Sequence, residues 1–284
     1  MQFVRPPKPN ALAALFSEQK PVIGTVHLHS LPGSPAYQGE SLDSVLEQAM
    51  RDAEAYKAGG ADGLIVENSG DLPFSKPEDI GPETVAFLTR ATTAIVSASG
   101  MPVGVNCLAN AVIPALAVAA ASGAQFVRSN QWVNAYVANE GFVEGASSKA
   151  LRFRKCISAT HVRIFADVHV KHGSHSIVAD RSVADQARDA DFFDADVLIA
   201  TGVRTGHSTS LEEVEAIREG SALPLIVGSG LSVDNVAALF QGADGAIVGS
   251  SLKEDGAWWN PVQRSRVERL MEKVDQLRRD LSQL

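Results

Sequence analysis

Pro224-Leu-Ile-Val-Gly-Ser-Gly-Leu-Ser-Val-Asp-Asn-Val236 is a short apolar run that ends in a Gly/Ser turn, and Ala243-Asp-Gly-Ala-Ile-Val-Gly-Ser-Ser251 repeats that pattern just downstream. Small residues in such turns leave main-chain N–H groups free with no Cβ in the way, so a phosphate oxygen can come close to the backbone. After the first turn a helix is expected, opened by Ser232 with Asp234 in its first turn. Two such turns late in a chain of alternating strands and helices sit where (β/α)8 barrels often hold a phosphate, in the loops after strands seven and eight. The plainer alternative is that Gly228, Gly230 and Gly249 only permit tight strand-to-helix turns. The doublet is more specific than a lone glycine loop and assigns ligand contact to Gly228, Ser229, Gly230, Gly249 and Ser250.

Outward from this stretch, the chain repeats strand and helix eight times. Val22 to Leu28, Leu64 to Val66, Val103 to Asn106, Gln125 to Arg128, Val162 to Val168 and Val197 to Ala200 are short apolar runs of the kind that parallel sheets bury on both faces. Between them, apolar residues recur at helical spacing, as in Leu42, Val45, Leu46, Ala49, Ala53 and Tyr56. A closed barrel and an open doubly wound sheet both fit such alternation. Eight units, the late Gly/Ser doublet and the lack of a glycine fingerprint after the first strand favour the barrel. Residues 1–20 are expected to form a proline-rich lead with a short helix, and residues 21–284 one barrel. The closing helix carries an apolar stripe at Val267, Leu270, Val274, Leu277, Leu281 and Leu284 that most simply packs on the barrel. Asn130 to Gly145 is long for a connecting loop, so it is the lid candidate, with Trp132 and Tyr136.

A chain of 284 residues, 45% hydrophobic and 20% charged, suits one large core. Its net charge of −8 without a dense Lys/Arg block argues against nucleic acid or an anionic membrane as the main partner. Cys107 and Cys156 are too few for a disulfide framework and are expected to be buried, reduced thiols. No apolar run approaches the length of a membrane span, and the first ten residues hold three prolines and no signal core, so the expected compartment is the cytoplasm.

Chemistry in such a barrel sits at the C-terminal ends of the strands, where the loops converge. Those ends carry His27 and His29, Glu67 and Asp71, Asn106 and Asn110, Arg128 and Asn130, Asp167 with His169, Lys171 and His172, Thr201 and Thr205, Ser229, and Ser250. Asp167 and His169, two apart, would share a face as a base with its orienting partner or as a metal pair, while a buried ion pair is the structural alternative. Lys171 has the same parity if the strand continues, and could polarise a carbonyl or form a Schiff base. Glu67 is a candidate acid, base or metal ligand, or a barrel carboxylate bonded to Lys171 or Arg128. His27, Glu67 and Asp167 form a candidate site for a divalent metal such as magnesium or zinc, although no zincin or EF-hand spacing is present. Asn106, Arg128, Thr201 and Thr205 are candidate substrate contacts, with Arg128 suited to a carboxylate or phosphate.

The runs Gly24-Thr-Val-His27, Leu31-Pro-Gly-Ser-Pro35, Glu67-Asn-Ser-Gly-Asp71, Pro102-Val-Gly-Val-Asn106, Asp167-Val-His-Val-Lys-His172, Thr201-Gly-Val-Arg-Thr-Gly206, Gly228-Ser-Gly230 and Lys253-Glu-Asp-Gly256 resemble the BtpA/SgcQ family, in order, from about residue 20 to 270. Thr25, where a methionine is expected, and Ser69, where an aromatic is usual, depart from its pattern. The resemblance implies a TIM barrel of the ribulose-phosphate-binding type. It transfers no catalytic residues, because one member is linked to photosystem I accumulation and another lies in an operon of sugar-uptake type. The combined expectation is an enzyme acting on a small phosphorylated metabolite, a sugar phosphate or nucleotide-like compound, by acid-base isomerase or lyase chemistry. Asp167 or Glu67 would move the proton, and Lys171 with His169 would stabilise negative charge. The competing expectation is a non-enzymatic binding or assembly factor. Homo-oligomerisation is left open.

Overall fold

Alternation along each strand decides which residues line the barrel, because successive side chains of a strand point to opposite faces. The computed structural model describes residues 8–202 and 209–281. After α1 (Ala11–Leu15) come β1 (Val22–His27), α2 (Leu42–Ala58), β2 (Gly63–Glu67), α3 (Pro82–Ser99), β3 (Val103–Asn106), α4 (Val112–Ser122) and β4 (Phe126–Ser129). Then follow β5 (Ala135–Ala138), β6 (Gly141–Glu144), α5 (Ser147–Cys156), β7 (Arg163–Val168), α6 (Val183–Phe192), β8 (Val197–Ala200), α7 (Leu211–Gly220), β9 (Leu225–Val227), α8 (Val236–Gly242), β10 (Gly245–Val248) and α9 (Arg264–Leu281). Among the described residues, eight parallel strands close in the order β1-β10-β9-β8-β7-β4-β3-β2, and β5 pairs antiparallel with β6 outside the barrel. This is the barrel expected from the sequence, with helices between the strands.

One set of strand residues faces the helices: Val22, Val26, Leu64, Val66, Val103, Val105, Val127, Ile164, Ala166, Leu198, Leu225, Val227, Ala246 and Val248 belong to the core they share with the helices. The other set faces inward, where Ile23, Ile65, Phe126, Phe165, Val197, Ile199, Ile226 and Ile247 pack with Leu12 and Phe16 from the N-terminal segment. That segment therefore closes the lower end of the barrel. Phe126 and Phe165 stack at 4.3 Å, and a Cβ at Gly104 would overlap the Phe126 ring, so glycine there makes room for the stack.

Helix ends follow their local chemistry. Ser41 and Ser210 accept from the N–H groups of Ser44 and Glu213, and Ser182 forms a capping box with Asp185. Gly100 and Gly123 take the left-handed conformation that stops α3 and α4. Val267, Leu270 and Val274 of α9 are buried in the shared core, which agrees with the packing role expected for the stripe. Leu281 is exposed, and Leu284 lies outside the described residues. The helix expected to open at Ser232 begins at Val236 instead, because Asn235 Oδ1 accepts from the Ser232 N–H and holds the intervening residues in a turn.

Candidate active site

Continuing the inward face of each strand by two residues turns it from apolar to polar. His27, Glu67, Asn106, Arg128, Asp167, Thr201, Gly228 and Gly249 each follow an inward-facing position at the upper end of the barrel. Parallel register sets His27 level with Glu67 and Glu67 level with Asn106. Above them lies a cavity of about 710 Å³, lined among others by His27, Glu67, Ser69, Asn106, Arg128, Lys171, Gly228, Ser229, Gly230, Gly249, Ser250 and Trp258. Its outer wall includes Tyr136, Ala138, Asn139 and Glu140.

Arg128 organises the charge. Its Nε and Nη2 donate to Asp167 Oδ1 and Oδ2 at 2.9 and 3.1 Å, a bidentate pair that Asn130 Nδ2 reinforces at 3.1 Å to Oδ2. Arg128 Nη1 also lies 3.7 Å from Glu67 Oε1, to which Asn106 Nδ2 donates at 3.3 Å. On the other side, His27 Nε2 stands 3.8 Å from Glu67 Oε2, while its Nδ1 donates to the Trp258 carbonyl at 2.8 Å. Burial, and then the charge of Lys253, push the His27 pKa down to about 3, so the ring is neutral and Nε2 carries a lone pair. Lys253 is itself buried against Asp52 at 3.2 Å. Burial, followed by repulsion from Arg128, lowers Lys171 to about 8, against the opposing pull of Asp167 and Glu67.

The turns after β9 and β10 are narrow. The Gly228 N–H donates to the Ala200 carbonyl and a Cβ there would overlap Ile199, so this glycine serves packing first. The N–H groups of Gly230, Gly249 and Ser250 have no acceptor among the described residues. Gly230 has φ +70, which favours glycine.

Residues 18–276 match the family model described as BtpA family. The chain belongs to the BtpA family. It is 39% identical over 253 residues to an uncharacterized protein of Pyrococcus furiosus, covering 89% of this chain and 94% of that one. A photosystem I biogenesis protein BtpA of Synechocystis is 37% identical over 262 residues, 90% of this chain and 88% of that one. An uncharacterized mitochondrial protein of Caenorhabditis elegans is 35% identical over 274 residues, 94% and 98% of the two chains. Among solved structures, N-(5'-phosphoribosyl)anthranilate isomerase of P. furiosus superposes with TM-score 0.55 at 14% identity, covering 90% of this chain and 99% of that one. Thiamine phosphate pyrophosphorylase from the same organism gives 0.53 at 17% identity, with 91% and 96% covered. These likenesses show the fold of this BtpA chain, a TIM barrel, in agreement with its closed ring of eight parallel strands among the described residues.

Within this BtpA barrel, several expected residues fall elsewhere. His169 is not beside Asp167: β7 ends at Val168, and His169 takes φ +55, which breaks the alternation. Its ring stacks on His175 at 3.8 Å, and His175 stacks in turn on Tyr136 at 5.4 Å. His175 is half-buried in that stack. The metal triad is not assembled. Arg128 bridges Glu67 and Asp167, and among the described residues no group of three or more His, Cys, Asp or Glu is placed to hold an ion. Thr201 is not part of the cavity lining; its Oγ1 accepts from the Lys171 N–H at 3.0 Å and so positions the loop that brings Lys171 to the cavity. Thr205 lies outside the described residues. Cys107 is buried, its thiol pushed up to about 12 by burial, whereas Cys156 at the end of α5 is exposed, contrary to expectation.

The expected lid loop is a β-hairpin, β5–β6. Asn110 ties its base, donating to the carbonyls of Gln131 and Glu144. A bridge between Val137 and Ser174 ties its tip to the loop after β7. Trp132 belongs to the core and not to this cover, with its indole N–H donating to the Phe193 carbonyl at 3.0 Å. Trp258, which fixes the His27 tautomer through its main chain and meets that ring edge-on at 5.6 Å, was not among the expected site residues. Its aromatic side chain shortly after the Lys253-Glu-Asp-Gly256 turn was the available signal.

Proposed function

We propose that this BtpA barrel is an enzyme that acts on a small phosphorylated metabolite in the cytoplasm by acid-base isomerase or lyase chemistry. The observation that carries this reading is one cavity that joins the unpaired N–H groups of Gly230, Gly249 and Ser250 to Glu67 and Lys171. The first three, with Ser229, would hold the phosphate through the main chain. Glu67 would move the proton: of the two strand-end carboxylates it is the one that lines the cavity, since both oxygens of Asp167 are engaged by Arg128 and Asn130. Lys171, with a pKa near 8 and no hydrogen bond to its ammonium among the described residues, would stabilise developing negative charge. Asp167 would act by holding Arg128 in place. Solved barrels similar in fold carry the names of an isomerase and a pyrophosphorylase acting on phosphorylated compounds, which supports the class and not the substrate.

Thermal-shift screening of the full chain against phosphorylated metabolites tests the site. The Ser250→Glu variant, which places a carboxylate at the turn, should lose every phosphate-dependent shift while unfolding at an unchanged temperature without ligand. With a ligand in hand, Glu67→Gln should keep binding and lose about 10²–10⁴-fold in conversion followed by NMR. Conversion at the original rate would remove Glu67 from the mechanism. The name of the Synechocystis relative favours a second reading, an assembly factor without catalysis. In a deletion strain, rescue by both Glu67→Gln and Lys171→Met would select it.

A further inference from the structure

One side of the cavity offers mostly hydrogen-bond acceptors. His27 gives its single proton to the Trp258 carbonyl, so its Nε2 can only accept, and it faces Glu67 Oε2 at 3.8 Å. Two acceptors at that separation cannot bond to each other. Asn106 spends its amino group on Glu67 Oε1, which fixes the amide orientation and leaves Oδ1 without a partner in the protein. Ser69 Oγ, at the start of the loop after β2, likewise has none. Asn106 and Ser69 are 1% and 5% exposed, and both line the cavity. Buried polar groups normally find partners, so two orphaned oxygens beside a facing pair of acceptors point to a ligand that brings donors.

The placement around the barrel sharpens this. In strand order the acceptors sit on β1, β2 and β3, next to β10 and β9, whose turns present the unpaired N–H groups. A ligand spanning the two would be an acceptor at one end and a multiple donor at the other. The donors are better neutral than cationic, because the Arg128 guanidinium already lies 3.7 Å from Glu67 and the Lys253 ammonium acts on His27.

We propose that the β1–β3 side of the mouth is a hydroxyl-binding subsite, in which Glu67, His27, Asn106 and Ser69 accept from adjacent hydroxyl groups of a sugar phosphate or polyol phosphate. This rests on the phosphate reading above and narrows it. A phosphate ester with no hydroxyl or amino group, such as a simple alkyl phosphate, would leave these acceptors unmatched.

Calorimetric titration of the full chain tests it with inorganic phosphate, propyl phosphate, and a panel of three- to six-carbon sugar and polyol phosphates with their deoxy counterparts. At least one polyhydroxylated member should bind about tenfold or more tighter than propyl phosphate, the gain expected from two or so added hydrogen bonds. Ser69→Ala and Asn106→Ala, each checked for an unchanged unfolding temperature, should remove most of that gain and leave inorganic phosphate binding as it was. If propyl phosphate binds as tightly as every member of the panel, or if both variants keep the full hydroxyl preference, the subsite is wrong while the phosphate site stands. If unphosphorylated sugars or polyols bind as well as their phosphates and the binding falls in Ser69→Ala, the subsite stands and the phosphate site is wrong. Stoichiometric magnesium or zinc binding that Asn106→Ala abolishes would overturn the subsite in favour of a metal.

Discussion

The two ends of this barrel are built by the same strands on the same inward face, yet they solve opposite problems. At the lower end Ile23, Ile65, Phe126, Phe165, Ile226 and Ile247 meet Leu12 and Phe16 in an apolar plug. Further along the strands the same face carries His27, Glu67, Arg128 and Asp167, all but His27 buried and the charged ones tied into one network. The apolar end gains stability from every group it removes from water. The polar end must compensate desolvation with paired charges, and it leaves a few groups uncompensated where the cavity opens. A functional mouth on such a barrel is therefore marked by its leftover hydrogen-bonding capacity more than by its charge count.

The comparison can be broken most strongly at Arg128 and Phe126. Arg128→Met should cost about 3–5 kcal/mol, because Asp167 is left buried without its cation. Phe126→Ala should cost about the same, by removing the stacked ring from the lower plug. The two differ in their remedy. Adding Asp167→Leu to Arg128→Met should restore most of the stability in denaturant unfolding, since an apolar pair can replace a buried ionic one. Failure of that double variant to recover would mean that the network is held by more than the single pair.

A milder test is Gly104→Ala, which forces a methyl group against the Phe126 ring and should cost about 1–3 kcal/mol by overpacking. A neutral result would show that the Phe126–Phe165 stack can shift, which the plug as described does not allow.

A last test separates the two ends by pH. His27 has its pKa lowered from 6.5 to about 3 in the folded chain, so the unfolded chain binds this proton more readily. Its contribution to stability is complete above pH 6.5 and falls as the pH drops towards 3, by about 1.4 kcal/mol per pH unit. Urea unfolding of His27→Gln should show a shallower loss across that window, whereas Phe126→Ala should keep the slope of the parent chain. Parallel slopes for parent and His27→Gln would mean that His27 is readily protonated in the fold.

How far the sequence carried depended on whether the signal was local. Each barrel strand showed itself as an apolar run, and the inward-facing polar ends at His27, Glu67, Asn106, Arg128, Asp167 and Thr201 followed once the barrel was assumed, because strand parity is a local rule. Parity failed at His169 for a local reason as well: β7 stops at Val168, and a positive φ turns the next side chain out of line. α5 had no place in the sequence reading, since only Ser147 and Ala150 are buried along it and its face is mostly basic and polar. β5–β6 looked like a loop because its strands are four residues each and their support comes from Asn110 and Ser174, distant in sequence.

By itself, the sequence determined the barrel, its family and the list of polar residues at the strand ends, since these rest on periodicity and on short motifs whose geometry is set by a few neighbouring residues. Only the tertiary structure decided how those residues are shared out. It gave Asp167 to Arg128 and left Glu67 on the cavity, turned His169 into the stack with His175 and Tyr136, and set two lone-pair acceptors face to face at His27 and Glu67. Such pairings depend on which strands become neighbours when the sheet closes and on what is left to satisfy each buried group, and neither is encoded in the spacing of residues along one strand.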